Sequence, residues 1–217
     1  MKFPNIQCLT LDDVGRSHVE QVHELCRAGA EWIQLRMKQA SDADVADAVR
    51  ECLPLCRASG ARLILNDRVQ IALDAGADGV HLGKDDMPWQ EARSLAGDRL
   101  LIGGTVNSED DADAARDSAC LDYAGVGPFR FTGTKKKLAP VLTASQWRNI
   151  LRKLAPLPCY AIGGIRPEDL RQLRGFGVHG VAVSSILMAG ASVEENYKAL
   201  VEEWSKLSSV MMQGGKK

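Results

Sequence analysis

The feature that most constrains this chain is its alternation. Short runs rich in Val, Ile, Leu and Gly, with few charges, recur at 4–9, 31–37, 62–66, 79–83, 100–106, 123–129, 159–165 and 180–187. Near-continuous apolar runs suit strands buried on both faces of a parallel sheet, and each parallel pairing needs a crossover, usually a helix. The residues between have the helical period. Residues 17–28 put Val19, Val22, Leu25 and Cys26 on one face, and 41–58 repeat Val45, Ala48, Val49, Cys52, Leu53 and Cys56. Residues 145–154 and 193–207 behave likewise. Ser17, Ser41, Ser108 and Ser192 stand where N-caps are expected, Pro88 and Pro167 in first turns, and Gly29, Gly60, Gly76, Gly97 and Gly177 at helix ends.

A faint internal repeat strengthens the pattern. Ala28-Gly29-Ala30-Glu31-Trp32-Ile33 resembles Ala75-Gly76-Ala77-Asp78-Gly79-Val80, with weaker echoes from Ala119 and Gly175, so every second βα unit looks alike. Eight units in 217 residues is ~27 residues each, close to the minimum for a closed barrel. The expected fold is therefore α/β: a single-domain (β/α)8 TIM barrel over 1–212, with 213–217 a disordered tail. An open doubly wound sheet is the alternative. It would show a Gly-rich first turn, which Thr10-Leu11-Asp12-Asp13-Val14-Gly15 lacks.

Composition excludes several classes of function. Lys plus Arg is 27 and Asp plus Glu is 28, for a net charge of −1, against the basic excess of a general nucleic-acid binder. No apolar run reaches the ~18 residues of a membrane span, and Met1–Gln7 has no apolar core of a signal peptide. None of the six cysteines forms a Cys-x-x-Cys pair. Free thiols, buried or half-buried in a reducing cytoplasm, are expected.

A barrel of this kind places its chemistry at the C-terminal ends of the strands. On the second, Gln34, Arg36 and Lys38 share a face; two cations pointing into a barrel mouth suit a phosphate or pyrophosphate. The third ends Asn66-Asp67-Arg68 and the fourth His81-Leu82-Gly83-Lys84-Asp85-Asp86, which brings Asp67 and one or both of Asp85 and Asp86 to the same mouth. Few carboxylates with room for water and phosphate oxygens are how Mg2+ is usually held, although each Asp alone also reads as a cap. His81 is expected to be a strand residue satisfied by a neighbour. Thr105 offers a hydroxyl after Gly103-Gly104. The longest loop, 127–137, carries Thr132, Gly133, Thr134 and Lys135-Lys136-Lys137, the makings of a phosphate-gripping lid. Gly163-Gly164 and Ser184-Ser185 close the last two strands, where phosphate-binding barrels hold a phosphate on backbone N–H groups. The sum is one Mg2+–pyrophosphate site on strands two to four and one monophosphate site on strands six to eight.

These residues resemble the thiamine phosphate synthase family. The resemblance covers about 31–187 and is carried by Gln34-Leu35-Arg36-x-Lys38, Asn66-Asp67, Asp78-Gly79-Val80-His81-Leu82-Gly83, Gly125-Val126-Gly127-Pro128, Thr132-x-Thr134-Lys135 and Ala161-Ile162-Gly163-Gly164-Ile165. It implies condensation of 4-amino-2-methyl-5-pyrimidinylmethyl diphosphate with thiazole phosphate, giving thiamine phosphate and pyrophosphate by dissociative substitution. It also implies roles. Gln34, Arg36, Lys38 and Asn66 hold the pyrimidine diphosphate, and Asp67 and Asp86 hold the Mg2+ cofactor. Thr132 and Thr134 contact the thiazole phosphate and Lys135 the diphosphate; Gly164, Ser184 and Ser185 complete the thiazole phosphate site. Arg36, Lys38 and Lys135 are the expected catalytic groups, with Thr105 among the substrate-binding residues. The partners are small molecules, with no nucleic acid or membrane, in the cytoplasm. Three positions depart from the family: Lys84 for Gln, Thr105 for Ser, and Ser184 for an apolar residue. Three other readings stand beside this one: a thiazole tautomerase-like member of the same fold, a sugar-phosphate isomerase or epimerase, and a non-catalytic regulator that binds a phosphorylated ligand.

Overall fold

The structure is a computed structural model; it describes residues 2–131, 139–190 and 192–214, with 208–214 by backbone alone. Eight strands alternate with helices. They are β1 (Ile6–Leu9), α1 (His18–Arg27), β2 (Trp32–Leu35), α2 (Asp42–Ser59), β3 (Arg62–Asn66), α3 (Val69–Ala75), β4 (Gly79–Leu82) and α4 (Trp89–Ala96). They continue as β5 (Leu101–Val106), α5 (Glu109–Ser118), β6 (Tyr123–Val126), α6 (Ala144–Leu154), β7 (Cys159–Ile162), a 3-10 turn (Pro167–Asp169), α7 (Leu170–Phe176), β8 (Gly180–Val183), α8 (Ser185–Met188) and α9 (Val193–Gly214). All neighbouring strands pair in parallel, and β8 returns to β1, closing the barrel in chain order. The open-sheet alternative is excluded.

Two apolar clusters form, because side chains alternate across each strand. The larger packs the outer strand faces, among them Ile33, Leu35, Leu63 and Leu65, against the helices. The smaller fills the barrel itself with Leu9, Trp32, Ile64, Tyr123, Tyr160 and Ala182. Trp32 lies edge-on to Tyr123 and Tyr160, with ring centroids 4.9 and 5.2 Å apart. Gly103 makes room for this cluster: a Cβ there would sit 2.1 Å from the Tyr123 ring.

Local signals act largely as expected. The hydroxyls of Ser17, Ser41, Ser108 and Ser192 accept backbone N–H groups three residues on. Gly60, Gly76 and Gly177 end helices in the left-handed conformation. Pro88 stands one residue before α4, at its N-cap. Most strands are shorter than the apolar runs suggest; β2 is four residues of 31–37 and β6 four of 123–129. In 159–165 the chain turns at Gly163 (φ +104°) and Gly164 (φ +60°). In 180–187 it turns at Ser184 into α8, since a short apolar run does not distinguish strand from helix. Residues 213 and 214 belong to α9, and 215–217 lie outside the described residues. All six cysteines are free thiols, Cys26 and Cys120 half-buried and the others buried. Among the described residues, no helix is long and apolar enough to cross a membrane.

Candidate active site

Trp32 and Gln34 face the barrel interior, so alternation carries Arg36 and Lys38 to the mouth on the same side. Arg36 is nearly buried. Burial lowers its pKa, opposed by the charges of Asp12 and Asp67. Its guanidinium lies 3.8 Å from Asp12 Oδ2, and its backbone N–H donates to Thr10 Oγ1 (2.9 Å). His18 on α1 bridges the same two residues, with Nδ1 2.7 Å from Thr10 Oγ1 and Nε2 3.1 Å from Asp12 Oδ1. Lys38 Nζ donates to Asp67 Oδ2 at 2.6 Å.

Asp67 follows the last residue of β3 in the left-handed region (φ +67°), its N–H bonded to the His81 carbonyl at 3.0 Å. That turn brings its carboxyl beside that of Asp86. Burial and the hydrogen bond with Asp86 raise the pKa of Asp67. Burial would also raise Asp86, but hydrogen bonds from Asp67 and from the Gly83 N–H (2.6 Å) outweigh it and hold Asp86 low. Asp86 therefore closes its own loop rather than capping α4, whose N-terminus has no side-chain cap. Two carboxyls this close, one pushed up and the other held low, mark a place where a cation fits. Among the described residues, no group of three or more His, Cys, Asp and Glu gathers as a metal cage. A two-carboxylate site is what Mg2+ uses when waters and substrate phosphates complete its shell. Asn66 Nδ2, next to Asp67 in sequence, is buried without a partner.

Beneath the mouth runs a polar chain. Gln34 Nε2 donates to Gln7 Oε1 (3.5 Å), and Gln7 Nε2 to the Tyr123 hydroxyl (3.2 Å). His81 lies between that hydroxyl (Nδ1, 3.2 Å) and Thr105 Oγ1 (Nε2, 3.1 Å). His81 is thus a strand residue satisfied by its neighbours, and Thr105 and Gln34 form the floor of the site. Lys84 turns away from Asp86: its Nζ is 2.6 Å from Asp111 Oδ2 on α5.

On the opposite side, Phe129 and Arg130 donate their N–H groups to the carbonyls of Ile162 (2.9 Å) and Gly163 (3.0 Å). A side chain at Gly164 would meet Arg130 Cβ at 2.9 Å, so the glycine lets the loop after β6 lie against the loop after β7. Ser184 Oγ is buried without a partner, and Ser185 opens α8. Thr132, Thr134 and Lys135 lie outside the described residues. Sequence reasoning missed Asp12, His18 and Asp169. Asp169 is buried and pairs with the Arg130 guanidinium, while its Oδ2 accepts the Arg166 N–H (2.9 Å). The spacing Arg166-Pro167-Glu168-Asp169, an acid three residues into a turn, is the signal that could have found it.

These features define a (β/α)8 barrel with a charged mouth at the C-terminal ends of its strands. The sequence model of the family described as thiamine monophosphate synthase matches residues 7–187. A thiamine-phosphate synthase of Bacteroides fragilis is 42% identical over 201 residues, covering 90% of this chain and 98% of the relative. One of Flavobacterium johnsoniae is 38% identical over 189 residues, covering 85% and 89%. The solved thiamine phosphate pyrophosphorylase of Pyrococcus furiosus superposes with a TM-score of 0.84 at 30% identity, covering 94% of this chain and 96% of that one. The chain belongs to the thiamine monophosphate synthase family, and is a transferase of thiamine biosynthesis.

Proposed function

We propose that the barrel mouth joins 4-amino-2-methyl-5-pyrimidinylmethyl diphosphate to thiazole phosphate, releasing pyrophosphate and thiamine phosphate, with Mg2+ as cofactor. The observation that carries this reading is the convergence of Arg36, Lys38, Asn66, Asp67 and Asp86 on the ends of three neighbouring strands. Asp67 and Asp86 would hold Mg2+, which supplies neutralisation of the diphosphate charge.

The protein's own groups account for the rest. Arg36 and Lys38 bind the diphosphate and take up negative charge as the bond from the pyrimidine methylene to its oxygen breaks; both electrons leave with pyrophosphate. Lys38 can do this because the ligand's phosphates compete for the ammonium that Asp67 holds in the free protein. Asn66 offers its unpartnered amide as a donor. The thiazole nitrogen then gives its lone pair to the methylene. No side chain acts as nucleophile. Lys135 adds a third cation at the diphosphate. Thr132, Thr134, Gly164, Ser184 and Ser185 hold the thiazole phosphate, and the free Ser184 hydroxyl supports that assignment. Gln34 and Thr105 set the floor on which the pyrimidine rests. Six free cysteines support a cytoplasmic location.

The test is product formation from the two substrates, with Mg2+ and with EDTA, in wild type and in Asp67→Ala/Asp86→Ala. Thiamine phosphate and pyrophosphate should appear in equal amounts, only with Mg2+ and only in wild type. No product from folded wild type with both substrates and Mg2+ would overturn the reading and favour a tautomerase or a ligand-binding protein. Equal turnover in EDTA would remove the metal from it.

A further inference from the structure

A thiol pair lies between α1 and α2, where the proposed chemistry does not use it. Cys26, in the last turn of α1, and Cys56, in the last turn of α2, hold their sulfurs 3.9 Å apart. Both turns lead into the starts of the following strands, so the pair sits at the end of the barrel opposite the mouth. Cys56 is fully buried and Cys26 half-buried, so only Cys26 is reached from solvent.

The pair is chemically asymmetric. The two thiols share a hydrogen bond, and the one that ionises is stabilised by the proton of the other. The hydrogen bond with Cys56 lowers Cys26 to about 7 against the opposing effect of burial, with Ser59 assisting. The same hydrogen bond, with burial and the charge of Cys26, pushes Cys56 up. Cys26 is therefore the more readily ionised thiol of the two, and thiolate is the form that reacts with oxidants. Cys120 is a built-in reference, also half-buried, with its sulfur directed at the Ser118 carbonyl (3.0 Å).

We propose that Cys26 and Cys56 form a redox modification site, in which a hydroperoxide oxidises Cys26 and Cys56 resolves it to a disulfide that staples α1 to α2. In the first step the Cys26 sulfur attacks a peroxide oxygen and the O–O bond breaks. The sulfur is oxidised by two electrons to a sulfenic acid, and the departing oxygen leaves as hydroxide, which takes up a proton to become water. Oxidation removes the negative charge that holds the Cys56 proton in place. In the second step the Cys56 sulfur attacks the Cys26 sulfur. The S–S bond forms, the S–O bond breaks, and the hydroxyl leaves with the Cys56 proton as a second water. Two thiols and one hydrogen peroxide give one disulfide and two waters. The sulfurs need to close from 3.9 Å to about 2 Å.

The test treats reduced, folded, full-length protein with hydrogen peroxide, blocks remaining thiols by alkylation and maps the peptides by mass spectrometry. The expected product links the Cys26 and Cys56 peptides while Cys120 stays alkylated. Cys26 should react about ten times faster than Cys120 near neutral pH. In Cys56→Ser, Cys26 should stop at a sulfenic acid trapped by a cyclic 1,3-dione; in Cys26→Ser, no linked peptide should form. Comparable oxidation of Cys26 and Cys120 in wild type would overturn the proposal. So would a trapped sulfenic acid in wild type with no linked peptide, a measurement that needs no variant to fold.

Discussion

Asp67 shows how one residue can serve chemistry at the expense of local comfort. Its φ of +67° is a conformation that Asp and Asn tolerate better than other residues with side chains. Asp67→Asn therefore keeps the backbone while removing the charge. The variant should lose at least about 100-fold in kcat/KM, with Tm of the metal-free protein changed by no more than about 4 °C; steady-state kinetics and thermal melts check both. A large fall in Tm would show the carboxylate to be structural. The carboxyl pair also predicts a pH dependence in EDTA. The folded value of Asp67 lies above its ordinary 3.8, so its contribution to stability is complete below that value and fades as pH rises through the raised one. Asp86 is displaced the other way; its contribution is present above 3.8 and fades as pH falls through the lowered value. Asp67→Asn should remove the first of these. The Tm difference, wild type minus variant, should shrink or turn negative between about pH 4 and about pH 7, and a difference independent of pH would refute the raised value.

Between the strands and the mouth stand the connecting elements, and there the sequence was legible unevenly. The capped helices announced themselves, because a cap hydroxyl such as Ser41 and a terminal glycine such as Gly60 are local requirements, whereas α8 has no side-chain cap and read as strand. The repeated position before alternate strands also has a physical basis. Asp78 and Asp122 each accept the N–H of a residue in the preceding strand, Leu63 at 2.8 Å and Ile102 at 2.7 Å. Arg36, Lys38, Asn66, Asp67 and Asp86 were legible because strand alternation and strand ends fix where they point. The pairings of Asp12 and Asp169 were not, since their partners, Arg36 and Arg130, stand 24 and 39 positions away; the local spacing of Arg166 and Asp169 offers the turn but not the ion pair. The Asp169 contact carries its own prediction. Asp169→Ala leaves the Arg166 N–H and the Arg130 guanidinium without their acceptor, at a cost of about 1–3 kcal/mol. Tm should fall by about 2–12 °C. KM for thiazole phosphate should rise, because Arg130 anchors the loop after β6 to the loop after β7. Unchanged KM with lowered Tm would confine Asp169 to stability.

At the scale of the whole molecule, the barrel interior joins a packed lower half to a polar upper half, and the glycine at position 103 lies at the join. A methyl there would overlap the Tyr123 ring, with Cζ at 2.1 Å and both Cε1 and the hydroxyl at 2.5 Å. The ring has little freedom to yield, since Trp32, Tyr160 and Phe3 pack against it with centroids 4.9, 5.8 and 6.3 Å away. If it shifts, its hydroxyl carries the disturbance to Gln7 and His81, and through His81 to Thr105. A single methyl far below the charged residues should thus be felt at the floor of the mouth. Gly103→Ala is expected to cost about 1–3 kcal/mol by overpacking, lowering Tm by about 2–12 °C, and to reduce kcat/KM although Arg36, Lys38 and Asp67 are untouched. Tyr123→Phe separates the two causes, because it removes the hydroxyl and leaves the ring in place. If displacement of the ring disturbs the floor, Gly103→Ala should be the more damaging of the two in both melting and turnover. Equal losses of turnover would assign the effect to the hydrogen bonds alone, and a wild-type Tm for Gly103→Ala would show that the interior has room it is not expected to have.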